Sequence, residues 1–578
     1  MDRDLLYHVQ DIDHANPIAL NRATLSVRAR RADVSSCALI LGGHEAPIPM
    51  ERLESSDRYD LYQVAVTVPP EGISYSFKVV TDGRTKSFTK YGVYETDAHF
   101  GSWSLMISAE DVFSTPDWVK DAVFYQIFPE RFCNGDPSND PPGSVPWDAK
   151  PELENFFGGD LQGVLDRLDY LSDLGVNALY FNPLFEATTN HKYNTTDYMK
   201  VEPSFGDNAL LKKLVAEAHR RGMRVVLDAV FNHVGVKFAP FQDVIEKGLD
   251  SPYLDWFFIK SFPIVLEPPN YACWWNLWEL PKLNTNNPEV RRYLLEVAEY
   301  WIRECDIDGW RLDVPEEVPQ GFWREFRGVV KAAKPDAYIV GEIWHDGRPW
   351  LRGDQFDAVM NYPLREAILS LLGGVTRDGN TAAPVRRSVV AYHKALHELL
   401  TDLPVQVLQA QFNLLGSHDT ERLMTLLDGD ERKVRLAMLL LMTAPGAPVV
   451  YYGDEIGMEG GKDPDCRRGF PWDGPWNESL REWVQKLIRL RHQHPALRTG
   501  EYRSLRVDGE ANVYAFERRL DGERIVGIVN PNDAVRTGTM DVGARTALTL
   551  AGGASVLQSG KLSFDVPPLG SVLVSVSD

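Results

Sequence analysis

The chain lacks a run of about 18 apolar residues, the length a helix needs to cross a bilayer. It also lacks an apolar signal core behind a basic start, since it opens MDRDLLYHVQ. Cysteine is scarce: Cys37, Cys133, Cys273, Cys305 and Cys466 are scattered, odd in number and form no CxxC pair. A disulfide framework is therefore excluded, and free thiols in a reducing compartment are expected. Positive charge is short as well, with 61 Lys and Arg against 82 Asp and Glu, a net charge of −21. A surface this acidic repels nucleic acid and anionic membranes, so neither is an expected partner. Repeats and low-complexity segments are absent. These absences leave a cytoplasmic protein, or one whose signal has been removed.

Aromatic residues, by contrast, are plentiful, with 15 Trp and 22 Tyr. That exceeds what a core requires and fits a sugar-stacking surface, although large cores also use Trp. At 578 residues the chain is too long for one compact core, and two to four domains are expected. Residues 1–115 read as all-β. Leu25, Val27 and Ala29 alternate with polar residues, as do Tyr62, Val64, Val66 and Val68, then Ile73, Tyr75, Phe77 and Val79 up to an Asp82-Gly83 turn. A β-sandwich is predicted, serving as a structural or interface module or as a carbohydrate-binding one.

From Trp118 strands alternate with amphipathic helices. Candidate strands are 123–128, 178–183, 224–230, 308–314, 338–344, 356–362, 412–419 and 449–455. One helix starts at Asn287-Pro288 and carries Val290, Leu294, Val297 and Trp301 at helical spacing. Another spans Asp207 to Gly222, with Leu210, Leu211, Leu214 and Ala218 on its apolar side. Eight such units predict an α/β fold, a (β/α)₈ TIM barrel over 116–500. An insertion at 233–290, rich in Trp256, Trp274, Trp275 and Trp278, reads as a subdomain overhanging the cleft. Residues 501–578 return to β patterning, with a turn at Asp521-Gly522, and form a C-terminal β-domain.

Polar residues collect at the strand ends. In DIDGWRLDV, Arg311 and Asp313 sit two apart, so on a strand both leave one face. A guanidinium beside a carboxylate lowers its pKa and keeps it a nucleophile. An ordinary strand-end salt bridge has the same signature. Asp228, Glu342 and Asp419 stand at other strand ends, and a barrel gathers such ends around one mouth. Carboxylates crowded together separate in pKa, and one charged acid with one protonated acid is what retaining glycoside hydrolysis needs. The same four could bind a divalent metal, but a fixed cation beside Asp313 competes with one.

These segments carry a resemblance. DAVFNH (228–233), GWRLDV (309–314), EIWH (342–345) and LLGSHDT (414–420) resemble the four signature segments of the α-amylase superfamily. LPKLN (280–284) resembles a fifth, in the form used by neopullulanases, cyclomaltodextrinases and maltogenic amylases. The resemblance implies Asp313 as nucleophile, Glu342 as general acid/base and Asp419 as stabiliser of the distorted sugar. It implies that Arg311 holds Asp313 ionised, that His233 and His418 bond the same sugar, and that Tyr193 stacks beneath it. Trp344 becomes a platform on the leaving-group side, and Asp463 and Arg467 contact the glucan on the non-reducing side. A structural Ca²⁺ is also implied, held by Asn134, Asp136, Asn139, Asp140, the Gly158 carbonyl and Asp160. The expected activity is retaining cleavage of α-1,4 bonds in cyclodextrins, short maltooligosaccharides or pullulan, by a homodimer paired through the N-terminal domain. Transglycosylation or α-1,6 cleavage on the same scaffold, and a non-catalytic sugar-binding barrel, are the rival readings. One departure stands out: Pro315-Glu316-Glu317 replaces the usual Ala-Asn-Glu after GWRLDV, near the leaving-group subsites.

Overall fold

The computed structural model describes residues 6–43, 46–53, 59–95, 101–109, 111–374 and 386–577. Residues 1–5 of the amino-terminal stretch read above lie outside these. The chain divides into two compact units, one of residues 1–115 with 394–408, the other of 116–393 with 409–578.

In the first unit two antiparallel sheets enclose Leu25, Val27, Leu39, Tyr75, Phe77, Val79 and Trp103. Strand Arg22–Arg30 pairs along its length with Tyr59–Thr67, so the alternating residues face one core. The turn at Asp82-Gly83 has φ of 50° and 70°, the left-handed pair that a two-residue hairpin requires. The unit also takes in residues 394–408, helical except at 402–404. Gln406 exchanges side-chain amide bonds with Asn16, and Asp402 accepts from Tyr59.

The second unit is built on a parallel sheet of β1 (Phe124–Ile127), β2 (Ala178–Phe181), β3 (Arg224–Ala229), β4 (Gly309–Leu312), β5 (Tyr338–Gly341), β6 (Ala358–Val359), β7 (Phe412–Leu414) and β8 (Ala447–Tyr451). Each pairs in parallel with its neighbour, β8 returns to β1, and a parallel bridge from Met360 to Phe412 joins β6 to β7. The ring is thus closed. Its interior is filled by Phe124, Ala178, Tyr180, Val226, Tyr338, Val340, Phe412 and Leu414. All eight expected strands are present but shorter than their sequence patterns. Their ends peel away to place polar residues at the mouth.

Helix α1 (Leu161–Asp166) is capped by Asp160, whose carboxylate accepts from Gly163 N–H. Helix α2 (Asn208–Arg220) buries Leu211, Leu214, Val215 and Ala218, whereas Leu210 stays half-buried. Helix α3 (Pro288–Cys305) is capped by Asn287 and buries Val290, Leu294, Val297 and Trp301, as its spacing predicts. The insertion between β3 and α3 has one longer helix, Ala239–Lys247, short helical turns and isolated bridges, including His233 to Lys282. Residues 501–577 form a five-stranded and a three-stranded antiparallel sheet around Val513, Ala515, Val526, Ile528 and Phe564. They belong to the same compact unit as the barrel. A buried arginine ties them to it: Arg518 donates to the Leu497 and Gly500 carbonyls, and the Leu497 carbonyl also accepts from Arg491 on the barrel side.

Candidate active site

The C-terminal ends of β1 to β5 and β7 converge on one charged cluster. Arg311, in β4, is fully buried at its centre. One guanidinium nitrogen, Nη1, lies 2.9 Å from Asp228 Oδ1 and 2.9 Å from Asp313 Oδ1. The other, Nη2, lies 2.8 Å from Glu342 Oε2. Arg311 therefore acts through carboxylates and offers no free surface to a ligand. Asp228 also accepts from Tyr180 Oη at 2.7 Å and Tyr193 Oη at 3.0 Å.

Val314 turns the chain sharply after Asp313. It sits in the left-handed region at φ 40° and ψ 48°, an outlier for a β-branched residue, at a cost of about 1–3 kcal/mol. That turn aims its N–H at Glu342 Oε2, 3.2 Å away. Trp344 Nε1–H donates to Glu342 Oε1 at 3.1 Å, and its ring lies flat on Tyr362 with centroids 3.7 Å apart. The acid is held from three sides.

Past β7, His418 Nδ1 accepts from the Gln126 amide at 2.9 Å, so its proton sits on Nε2, which faces Tyr193 Oη at 2.7 Å. Burial, with Arg467 and Arg311 nearby, holds His418 neutral, well below its ordinary pKa. Asp419 is more open than Asp228, Asp313 and Glu342, its side chain 30% exposed. Arg467 reaches Asp419 at 3.3 Å and Asp463 at 3.0 Å, and its Nε donates to the His418 carbonyl. His233 is buried under the insertion with its ring against Trp274. Asp313, Glu342, Asp419, Tyr193, His418, Trp344, Asp463 and Arg467 thus belong to one connected network. Gln126, Tyr180 and Asn182 belong to it too, and sequence reading missed them. Their signal was a polar side chain in or just beyond an otherwise apolar strand.

The electrostatics correct one expectation. Burial pushes the Asp313 carboxyl well up; Arg311 pulls it down, and the charges of Glu342 and Asp228 push it up again. Burial likewise raises Glu342 against the pull of Arg311, and raises Asp228 to about 6. Arg311 does act on Asp313 in the expected direction. One guanidinium is divided among three carboxylates, however, and loss of water outweighs its share. Three anions on one cation cannot all ionise with equal ease, so they titrate in separate steps that belong to the cluster and not to one residue.

The departure at Pro315-Glu316-Glu317 has its own partners. Glu316 meets His345 Nε2 at 2.6 Å. Glu317 meets Lys282 Nζ at 2.9 Å, and that amine also donates to Asn232 Oδ1 at 2.7 Å. The pair of acids is therefore divided: Glu317 ties the insertion to β4, while Glu316 faces the residue three after the candidate acid.

The expected calcium ligands lie together on the loop before α1. The Asn134 and Asn139 side-chain oxygens are both buried without a hydrogen-bond partner. Asn134 Nδ2 donates to Asp140 Oδ1 at 2.7 Å. Gly158 has φ +83°, and a Cβ there would fall 2.3 Å from Asp140 Oδ1. Orphaned amide oxygens around a space kept open by glycine fit a hard cation. Asp160 is more committed. Its carboxylate accepts from the Gly135, Asp136 and Gly163 N–H groups, so its first task is to cap α1. Asp136 is exposed and accepts from Ser138. Among the described residues no three carboxylate, His or Cys side chains converge as a metal cluster, including at the catalytic mouth.

A closed parallel barrel with paired acids at its C-terminal mouth defines a glycoside hydrolase of the barrel class. Residues 126–477 match the family model for the alpha amylase catalytic domain, and residues 1–104 that for the alpha amylase N-terminal ig-like domain. The chain belongs to the α-amylase family. It is 44% identical to a cyclomaltodextrinase of Geobacillus thermopakistaniensis across 100% of both chains. It is 42% identical to neopullulanase 2 of Thermoactinomyces vulgaris over 99% of each. A solved cyclomaltodextrinase structure superposes with TM-score 0.92 at 41% identity, covering 100% of both chains.

Proposed function

We propose that this enzyme is a retaining α-glucan hydrolase that cleaves α-1,4 bonds of cyclodextrins, short maltooligosaccharides or pullulan. The observation that carries it is the sharing of one buried guanidinium: Arg311 Nη1 on Asp313 and Nη2 on Glu342. Two carboxyls drawn to opposite nitrogens of one group stand close, as a retaining pair at about 5–5.5 Å must. In the first step Glu342, protonated, gives its proton to the glycosidic oxygen while Asp313 attacks the anomeric carbon. The leaving sugar departs and a glycosyl ester on Asp313 remains. Glu342, now a carboxylate, takes a proton from water, which attacks the same carbon and frees Asp313. Asp419 and His418 bond the hydroxyls of the distorted sugar, Tyr193 stacks on it, and Asp463 and Arg467 hold the next unit. Trp344 forms a platform for the leaving group.

Calcium fits the loop at Asn134, Asn139, Asp140 and the Gly158 carbonyl, where it would fix the chain ahead of α1 as a structural ion. A homodimer through residues 1–115 and a cytoplasmic location complete the proposal. The five unpaired thiols support the second. Glu316 on the leaving-group side supports a changed balance between water and sugar acceptors. Incubation with cyclodextrin, pullulan, maltotriose and starch, with the first-formed anomer read by NMR, tests the activity. Initial products of α configuration are expected. β products would overturn the retaining pair, and oligosaccharides longer than the substrate would show transfer to sugar. Light scattering tests the dimer.

A further inference from the structure

The segment after β8 includes a short helical turn, Asp465–Arg467, which carries the Arg467 side chain. The last carbonyls of such a turn find no partner within it. Here three in a row are answered by side chains of the barrel. The Cys466 carbonyl accepts from Arg422 Nε at 2.8 Å and from Tyr451 Oη at 3.3 Å. The Arg467 carbonyl accepts from Arg131 Nη1 at 2.8 Å, and the Arg468 carbonyl from Tyr452 Oη at 2.7 Å.

Arg131 and Arg422 are both buried, and each is fixed from several sides. Arg131, just past β1, pairs with Glu130 and donates to the Asn155 carbonyl at 2.9 Å. Its Cζ lies 4.1 Å from the centroid of the Phe157 ring. Arg422, past β7, pairs with Asp454 at 3.3 Å. Its Cζ lies 4.1 Å and 4.4 Å from the centroids of the Tyr451 and Tyr452 rings. The Arg422 N–H also donates to the Gly460 carbonyl at 3.0 Å, so one residue holds both ends of the 460–466 loop. A planar guanidinium seated on aromatic rings has little freedom, and neither has a carbonyl bonded to it.

The point so fixed is the origin of the Arg467 side chain. From there it meets Asp463 at 3.0 Å, Asp419 at 3.3 Å and the His418 carbonyl at 2.8 Å. A displacement of about 1 Å at a positioning group can cost about 10²-fold in rate. Buried charge is a poor source of stability, because desolvation consumes much of what pairing returns. Two such charges on adjacent carbonyls of one loop serve precision of placement.

We propose that Arg131 and Arg422 are positioning residues. Acting through the Arg467 backbone, they set how tightly the enzyme holds the glucose unit next to the reacting one on the non-reducing side. This inference rests on the α-glucan reading above and adds two buried residues to it.

The test uses the full-length enzyme and nitrophenyl maltotrioside, which offers three bonds to cut. Cutting the bond nearest the non-reducing end leaves a single glucose on that side of the site. Cutting either of the others places a further unit against Arg467. The ratio of products is independent of how much enzyme is folded, so damage to the fold alone does not move it. In Arg131→Lys and in Arg422→Lys, products of the two inner cuts should fall about fivefold relative to glucose from the outer one. Tyr452→Phe removes a hydroxyl and strands no charge, and it should shift the ratio the same way by about twofold. Arg467→Ala should shift it by about tenfold, and adding Arg131→Lys to that variant should change it no further, because the two act along one path. An unshifted ratio in both Lys variants, whatever their total activity, would overturn the proposal. So would a full further shift in the Arg467→Ala background. If neither Lys variant folds, Tyr452→Phe decides, and an unshifted ratio there ends the proposal. If the unaltered enzyme cuts none of the three bonds, the α-glucan reading fails and the positioning falls with it. An unshifted ratio in active variants removes the positioning alone.

Discussion

Trp344 donates its indole N–H to Glu342 Oε1 across 3.1 Å, from two residues further along the same chain. The bond favours the charged carboxylate and opposes the burial that raises the Glu342 pKa. Glu342 must carry a proton to act as an acid, so activity falls as pH rises through its pKa. Trp344→Phe keeps a ring to stack on Tyr362 but removes the donor. The Glu342 pKa then rises further, and the alkaline limb of kcat/KM should move to higher pH. An unmoved limb, or one displaced downward, would mean that this carboxyl does not set it.

Glu342→Gln separates the acid from the nucleophile. Turnover of maltooligosaccharides should fall by about 10²–10⁴-fold, the ordinary contribution of a general acid. A nitrophenyl maltoside, whose leaving group needs no proton, should lose far less in the first step and show a burst of nitrophenol. Asp313→Asn should abolish both reactions while calorimetry still detects sugar binding. Equal damage to the two substrates in Glu342→Gln would remove Glu342 from the acid role.

Much of this architecture was legible because its signals were local. The strand ends GWRLDV and EIWH announced their polar tips by interrupting apolar runs. Asn287-Pro288 marked the start of α3 through the geometry of capping. What stayed hidden depended on distance. That Arg311 serves three carboxylates at once follows from β3, β4 and β5 lying side by side, which no spacing in the chain encodes. Burial of Asp313 outweighing its guanidinium is likewise a property of the closed mouth. The partnership of residues 394–408 with the N-terminal sandwich was invisible for the same reason: Asn16 and Gln406 are bonded neighbours but far apart in sequence.

The loop at Asn134 yields a prediction about stability rather than rate. An ion that binds only the folded chain raises stability by about 2.7 kcal/mol at one hundred times its dissociation constant. Calcium should therefore raise Tm, and a chelator should lower it, with little change in the rate at moderate temperature. In Asn134→Ala, which removes an orphaned oxygen, the calcium-dependent part of Tm should shrink. A melting curve indifferent to both calcium and chelator would leave the loop as an Asx-rich turn. A rate that collapsed with chelator well below Tm would place the ion in the chemistry instead.

At the opposite end of the barrel, Asp308 precedes β4 and accepts from His219 Nε2 at 2.6 Å, Arg224 Nη1 at 2.8 Å, Lys334 Nζ at 2.8 Å and the Val225 N–H at 2.8 Å. Burial pushes this carboxyl up, but His219 and Lys334 outweigh it and bring it down to about 2 from 3.8. A carboxyl with a depressed folded pKa stabilises above its unfolded value, and the stabilisation is lost as pH falls through the folded one. The interval from 3.8 to about 2 corresponds to about 2 kcal/mol at neutral pH. Asp308→Asn also takes the carboxylate from Lys334 and Arg224, which are partly exposed and can turn to solvent, so the added cost stays below the about 3–5 kcal/mol of a fully buried pair. The variant should therefore melt well below the parent at pH 7, with the gap narrowing as pH drops from about 4 toward 2. Its KM for maltooligosaccharides should be unchanged, because the reacting acids stand at the other rim. A gap in Tm that is the same at pH 7 and at the acid end would show that packing, and not the ionised carboxylate, makes Asp308 matter.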